Sequence, residues 1–92
     1  MKKPRVSLIV LKSPDRVSVA KALCGVQAFH GGRAPTRAII HATDFLRLEL
    51  DMAGFERESR YYLRILDVPV YASMITPVGY IVAVVSRTAG LQ

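Results

Sequence analysis

The sequence has little of what disulfide-bonded, zinc-binding or membrane-spanning proteins contain. Its 92 residues include one cysteine and no tryptophan. A single cysteine excludes an internal disulfide framework and a cysteine-based zinc site. No apolar run approaches the roughly 20 residues of a membrane-spanning helix, so we expect no membrane partner. Apolar residues make up 51% of the chain. That share excludes intrinsic disorder, and the length predicts one domain over residues 1–92.

The two ends of the chain differ in composition from the rest. Residues 1–5 are basic and are interpreted as an N-terminal extension, and residues 87–92 as a frayed tail. A basic start is also typical of a signal peptide. The apolar run from Val6 to Leu11 is too short for a signal-peptide core, and no small-residue cleavage site follows it. We therefore predict a soluble, intracellular protein without a signal peptide.

Positive charge is concentrated in the first part of the chain. The formal net charge is +6, and residues 1–37 carry eight lysines and arginines against Asp15 alone. Because such side chains neutralise phosphates, this part can bind nucleic acid or another anion. Scattered basic residues are equally typical of a soluble surface, and no RNA-binding, phosphate-loop or zinc-finger motif accompanies them. The candidate phosphate contacts are Lys2, Lys3, Arg5, Arg33 and Arg37.

The first third of the chain predicts a strand and a helix. The segment from Val6 to Leu11 is short, apolar and β-branched, which is typical of a strand buried on both faces. Ser13 is the expected N-cap of a helix over residues 14–29. The apolar face of this helix is predicted to carry Val17, Ala20, Leu23 and Cys24.

The rest of the chain predicts a strand, a helix and three further strands. Residues 36–41 form the second strand, and Thr43 is the expected cap of the next helix, with Phe45, Leu48 and Met52 on its apolar stripe. The last three strands are expected over residues 61–66, 68–73 and 80–85. The order β-α-β-α-β-β-β predicts a single α+β domain, with two helices covering a mixed sheet.

Two histidines and one cysteine are the candidates for catalysis or metal binding. With Asp44, the side chains of Cys24, His30 and His41 could form a hydrolase or metal site. A cysteine on an apolar helix face is usually a small buried hydrophobe, and a histidine at a helix end usually interacts with the helix dipole. We therefore expect no enzymatic activity, no metal and no cofactor.

The segment from His30 to Arg33 reads His-Gly-Gly-Arg. Glycine N–H groups and an arginine side chain can together bind an anion. A helix end followed by a loop explains the same residues, and the strand-then-helix context of a phosphate loop is missing. Both interpretations stay open at the level of sequence.

A polar turn and a proline-containing strand form the candidate protein–protein interface. The charges from Glu56 to Arg60 alternate, which is typical of a solvated turn or of a rim that contacts a neighbouring subunit. Proline cannot donate a ladder hydrogen bond, so the strand with Pro69 is expected to lie at a sheet edge or to begin there. An edge strand exposes backbone groups that a partner can pair with. The candidate interface residues are Glu56, Arg57, Glu58, Arg60, Asp67, Pro69 and Tyr71.

The second half of the chain carries a recurring order of motifs. The segment His41-Ala42-Thr43-Asp44-Phe45 opens a helix, and residues 66–71 and Gly79 precede the final apolar strand. This order resembles the axial domain of tailed-phage major capsid proteins, a fold also used by encapsulins. In that family an Asn-Pro-any-Asp-aromatic segment opens a helix, and a Leu-Gly-any-Pro-Val strand follows. Here His41, Ala42 and Asp67 stand where the family favours Asn, Pro and Gly. The residues that keep the pattern are Asp44, Phe45, Leu66, Pro69, Val70 and Gly79.

The resemblance implies a structural viral protein that acts by protein–protein contact, without catalytic residues or a cofactor. The chain is too short to contain the peripheral parts of such a capsid protein. That favours a minor virion component, a head-assembly factor or a protein that docks onto a capsid. The expected location is a virion or the host cytoplasm, and the expected partner is a second copy or a capsid protein. The alternatives are a small basic nucleic-acid-binding protein and a phage-encoded inhibitor of a host protein.

Overall fold

The computed structural model describes residues 5–86. Two helices and five strands follow the predicted order. Arg5 is the first residue of a strand, so its assignment to an N-terminal extension is wrong. The rest of that extension and the predicted tail over residues 87–92 lie outside the described residues. The elements are β1 (Arg5–Val10), α1 (Arg16–Phe29), β2 (Arg37–His41), α2 (Ala42–Asp51), β3 (Tyr62–Ile65), β4 (Val68–Ser73) and β5 (Tyr80–Val85).

The five strands form one mixed sheet in the order β1-β5-β2-β4-β3. The β2–β4 pair is parallel, and the β1–β5, β2–β5 and β3–β4 pairs are antiparallel. The predicted α+β class and the predicted covering of a mixed sheet by two helices are confirmed. The strands at the two edges of the sheet are β1 and β3.

The core lies between the two helices and one face of the sheet. Alternate residues of each strand point to this face, because the side-chain period of a strand is two. Burying an aliphatic side chain of this kind stabilises the fold by about 1.5–3 kcal/mol. The largest fully buried side chains are Leu23, Ile40, Leu48, Ile81, Val19, Val70 and Val85.

The first helix begins two residues later than the sequence predicts. Its N-cap is Asp15, not Ser13, and the Asp15 carboxylate accepts a hydrogen bond from the N–H of Ser18 at 2.8 Å. This bond and the Ser13 hydroxyl hold the pKa of Asp15 below its usual range. The buried face is rotated from the predicted one as well. The core side chains of α1 are Val19, Leu23 and Val26, whereas Val17 and Cys24 are exposed.

The second helix begins directly after β2. His41 is its N-cap, not Thr43, because the His41 Nδ1 atom accepts the N–H of Thr43 at 3.0 Å. The predicted stripe of Phe45, Leu48 and Met52 is buried, as expected. Asp44 in the first turn is only 5% exposed.

Asp44 ties this helix to the turn before the last strand. Its carboxylate oxygen Oδ2 accepts the backbone N–H of Gly79 at 2.8 Å. Gly79 has a φ of +84°, in the left-handed region that favours glycine. The contact therefore fixes the point where the chain enters β5, 35 residues along the sequence from Asp44.

The hairpin between β3 and β4 turns on two residues in the left-handed region. Leu66 has a φ of +52° and Asp67 a φ of +63°. Positive φ at both central positions is the geometry of the tight hairpin turn that favours Asn-Gly or Asp-Gly. The left-handed backbone costs an L residue about 1–2 kcal/mol, so this turn stores strain.

Candidate functional site

Among residues 5–86, no helix covers one of the two faces of the sheet. On the edge strand β1, the side chains of Val6, Leu8 and Val10 point to this face and are 63%, 56% and 64% exposed. Next to them on β5, the partly buried Val82 lies opposite Leu8 in the register. Ile39 on β2 continues the row, because it pairs with Val82. We call the surface formed by Val6, Leu8, Val10, Val82 and Ile39 the open face.

The position of β1 overturns one prediction from its composition. Its run of apolar residues predicted a strand buried on both faces. The structure buries one face only, where Ile9 packs against the core. Its neighbour on one side is β5, and within residues 5–86 no strand pairs with its other side. The strand thus has the composition of a buried strand and the position of an exposed one.

Backbone geometry shows which groups of β1 point outward. The N–H of Leu11 donates to the carbonyl of Gly79 at 2.8 Å, in line with the β1–β5 register. Hydrogen-bonded and non-bonded pairs alternate along an antiparallel ladder, so the odd-numbered residues of β1 bond to β5. The N–H and C=O groups of the even-numbered residues point away from the sheet. We call these outward groups of Val6, Leu8 and Val10 the β1 edge.

The opposite edge is shorter and carries charge. β3 has four residues. Beside it, Glu58 accepts hydrogen bonds from the Arg64 guanidinium and the Tyr62 hydroxyl, each at 3.0 Å. The bond from Arg64, with a smaller contribution from Tyr62, lowers the pKa of Glu58, and the bond to Glu58 raises the pKa of Arg64. Short length and charged side chains are the usual protections of an edge strand against pairing with another chain.

The predicted interface turn is held by contacts within the chain. Arg57 forms an ion pair with Glu49 and donates to the carbonyls of Ser59 and Arg60. Glu58 bonds to Tyr62 and Arg64. The side chains of Glu56 and Arg60 are exposed at the surface. Arg57 and Glu58 therefore stabilise the loop before β3, and a partner would have to compete with these bonds.

Of the two alternatives predicted from Pro69, the edge position of the Asp67–Tyr71 segment is wrong, and the start of the strand near Pro69 is confirmed. β4 lies between β2 and β3, so it is an interior strand. Pro69 fits there because it pairs with Arg64 of β3, and pairing with β2 begins only at the next residue, Val70. Asp67 lies in the hairpin turn. Tyr71 points to the same face as the open face and contacts Tyr62, with ring centroids 5.5 Å apart.

Two of the predicted phosphate contacts, Arg5 and Arg33, come together at one end of the sheet, and Arg37 lies at the same end but points to the open face. Arg5 and Arg33 line the same surface depression, of about 280 Å³, together with His30. Arg5 pairs with Val85, and Arg37 with Val84, so the two arginines flank the end of β5. The Arg33 guanidinium donates to the carbonyl of Ser86 at 3.4 Å. We call Arg5, Arg33 and Arg37 the basic end; Lys2 and Lys3 lie outside the described residues.

The two glycines beside Arg33 do not offer an anion cradle. The N–H of Gly31 donates to the carbonyl of Ala28, and the N–H of Gly32 to that of Gln27. Both glycines have positive φ and close the end of α1. The helix-end interpretation of this segment is therefore confirmed, and any anion here would rely on the side chains of the basic end.

Each candidate catalytic side chain either makes a structural contact or lies apart from the others. The His41 ring caps α2 through its Nδ1 atom, Asp44 binds Gly79, and Cys24 lies exposed on α1. The His30 Nε2 atom is buried without a hydrogen-bond partner among residues 5–86. Over the same range, no group of three His, Cys, Asp or Glu side chains is placed to hold a metal ion. Nor does either described helix have the length and hydropathy needed to cross a membrane.

Comparison of the chain with protein-family models, with curated proteins and with solved structures finds no match in any of the three. The candidate site therefore rests on the geometry of this molecule. The sequence missed the open face and the β1 edge. The apolar residues of β1 and the charged residue at its start were visible in the sequence. A strand pattern alone, however, does not show whether the strand lies at the edge or in the centre of a sheet.

Proposed function

We propose that this chain is a small structural protein of a virion or of its assembly, and that it acts by protein–protein contact. The observation that carries the proposal is the strand β1. Its side chains Val6, Leu8 and Val10 are more than half exposed, and its outer backbone groups have no partner strand within residues 5–86. A long apolar edge strand of this kind pairs readily with another chain.

The resemblance to the capsid axial domain gains support from two details of the fold. Asp44 and Gly79 are both among the residues that keep that family's pattern, and here they bond to each other at 2.8 Å. Asp67 stands where the family favours glycine, and its φ of +63° lies in the region that favours glycine. Each detail gives a motif position a structural role.

The contact surface in this proposal is the open face with the β1 edge. It replaces the surface predicted around Glu56 and Pro69, since β4 is interior and two charges of the polar turn, Arg57 and Glu58, are bound within the chain. The open face lies on the side of the sheet away from both helices. A partner can therefore cover it without disturbing the core.

The test of this function is the mass of the protein in solution at several concentrations. Light scattering behind a sizing column, at about 0.1 M and about 1 M salt, separates apolar from ionic association, because salt screens charges and leaves apolar burial intact. We expect a multiple of the 10.2 kDa chain mass that persists at high salt. A mass of one chain at every concentration would contradict the proposal.

Nucleic-acid binding is the second candidate, and the basic end favours it. Arg5 and Arg33 share one depression, and Arg37 lies at the same end of the sheet. Such a cluster would contact phosphates without reading the sequence, and its affinity would fall steeply with salt.

The test of this candidate is the binding of labelled DNA and RNA measured by fluorescence anisotropy over a range of salt. If the basic end binds phosphate, Arg5→Ala with Arg33→Ala will flatten the salt slope by about two ions. The matched control is Arg47→Ala with Arg60→Ala, which removes the same charge from exposed positions elsewhere. An equal effect of both pairs would assign the binding to net charge and not to this site.

A further inference from the structure

We propose that two copies of this chain pair through β1 in an antiparallel register centred on Leu8, so that their sheets join into one. The inference rests on the proposed function and names its first partner, a second copy. β1 is the edge suited to this, since between Val6 and Leu11 it contains no charge and no proline. The β3 edge is shorter and has the Glu58–Arg64 ion pair beside it.

The direction of the outward backbone groups selects the register. Those groups belong to Val6, Leu8 and Val10, as the Leu11–Gly79 hydrogen bond shows. In an antiparallel pair, facing residues exchange both hydrogen bonds. Centring the pair on Leu8 places Leu8 opposite Leu8, and Val6 opposite Val10 of the second copy, so every outward group is satisfied. If the register is shifted by two residues, outward groups at both ends of the pair are left without partners. If the register is centred between two residues, the outward groups of one copy face inward-pointing groups of the other.

The same register matches the side chains. A two-fold axis perpendicular to the sheet places the open faces of the two copies on the same side of the joined sheet. The rows of Val6, Leu8 and Val10 then lie side by side, with directly facing Cβ atoms about 4.5–5.5 Å apart. On the helix side, Ser7 faces Ile9 of the second copy. The pair is therefore apolar against apolar on the open face, and no like charges face each other.

The positive charge of the chain does not oppose this pairing. Arg5 faces Leu11 of the second copy and lies six residues along the strand from the other Arg5. At about 3.4 Å per residue the two basic ends are about 20 Å apart. This exceeds the screening length of about 8–10 Å at physiological salt. A second copy is thus compatible with the formal charge of +6.

Disulfide trapping tests the register directly. Cys24 is the single cysteine and is exposed, so every variant is made in a Cys24→Ser background. In the proposed pair the two Leu8 Cα atoms are about 5.5 Å apart, within the range of about 4.4–6.8 Å that a disulfide spans. Under a mild oxidant, Leu8→Cys should form a covalent dimer. Leu46→Cys, at an equally exposed leucine on α2, is the control and should form at least tenfold less.

Two further variants fix the alignment. The distance from Val6 to Val6 of the second copy, or from Val10 to Val10, is about 14 Å in this register, too far for a disulfide. Neither Val6→Cys nor Val10→Cys alone should therefore cross-link, whereas a mixture of the two should give a mixed dimer. Strong cross-linking of Val6→Cys or Val10→Cys alone would overturn the register.

The outcome also separates this inference from the proposed function. Light scattering of the Cys24→Ser protein establishes whether it associates, and circular dichroism of each variant establishes that it is folded. An associated protein in which Leu8→Cys cross-links no more than Leu46→Cys would overturn the β1 pair and leave assembly through another part of the open face. A protein that is monomeric at all concentrations would overturn both.

Discussion

Replacing Asp67 by glycine should stabilise the protein. Asp67 has a φ of +63°, and this left-handed backbone costs a residue with a Cβ atom about 1–2 kcal/mol, with aspartate at the lower end of that range. Glycine removes the strain but gives the unfolded chain more freedom, which costs about 0.4–1 kcal/mol. The side chain is exposed, and the bond from Arg64 goes to the Asp67 carbonyl, which glycine keeps. We expect a net gain of about 0.5 kcal/mol.

The assay is urea unfolding followed by circular dichroism, with thermal unfolding beside it. A gain of about 0.5 kcal/mol raises the Tm of a domain of this size by about 2–4 °C. Glu56→Gly is the matched control, because it removes the same charge from an exposed loop position where φ is not positive. It should be neutral or destabilising. If Asp67→Gly lowers the free energy of unfolding as Glu56→Gly does, the backbone-strain argument is refuted.

Three other substitutions test how the fold is held. Asp44→Ala removes the acceptor of the Gly79 N–H and should lower the free energy of unfolding by about 1.5–3 kcal/mol, measured by urea unfolding, whereas Asp44→Asn keeps an acceptor and should cost less. Leu48→Ala opens a cavity at a fully buried position and should cost about 2–5 kcal/mol in the same assay; a cost near zero would contradict the packing. Asp15→Ala should cost about 1 kcal/mol at neutral pH, since it removes the cap of α1. The folded-state pKa of Asp15 is depressed, so its contribution to the free energy of unfolding is complete above the ordinary value of 3.8 and disappears as pH falls through the folded-state pKa. Unfolding curves for the natural sequence and for Asp15→Ala at several pH values check this. A difference between the two proteins that persists in strong acid would count against the cap.

Local patterns in the sequence were enough to predict the kind and order of the elements. The last two strands, Val68–Ser73 and Tyr80–Val85, begin and end at the predicted residues because proline, glycine and turn residues bound them. The helix caps were less predictable. Ser13 and Asp15 are both good caps, and which one bonds to the first turn depends on how the chain leaves β1.

The order of strands in the sheet could not be predicted from local patterns. Pro69 predicted that its strand either lies at an edge or begins near the proline. The second alternative holds, because β4 begins at Val68 and its pairing with β2 begins only after Pro69. An apolar β1 suggested burial on both faces. The fold of one chain buries only one of these two faces. The other face, which the composition of β1 predicted to be buried, is the surface on which the proposed assembly depends.

Charge insertion at Leu8 is the most direct test of the proposed self-association. The measurement is the mass in solution of the natural sequence, of Leu8→Lys and of Leu46→Lys, the last being an exposed leucine on the outer side of α2. A lysine in the middle of an edge strand opposes pairing with another strand. We expect an oligomer for the natural sequence and for Leu46→Lys, and a single chain of 10.2 kDa for Leu8→Lys. The same mass for all three proteins, whether monomer or oligomer, would contradict the proposed self-association.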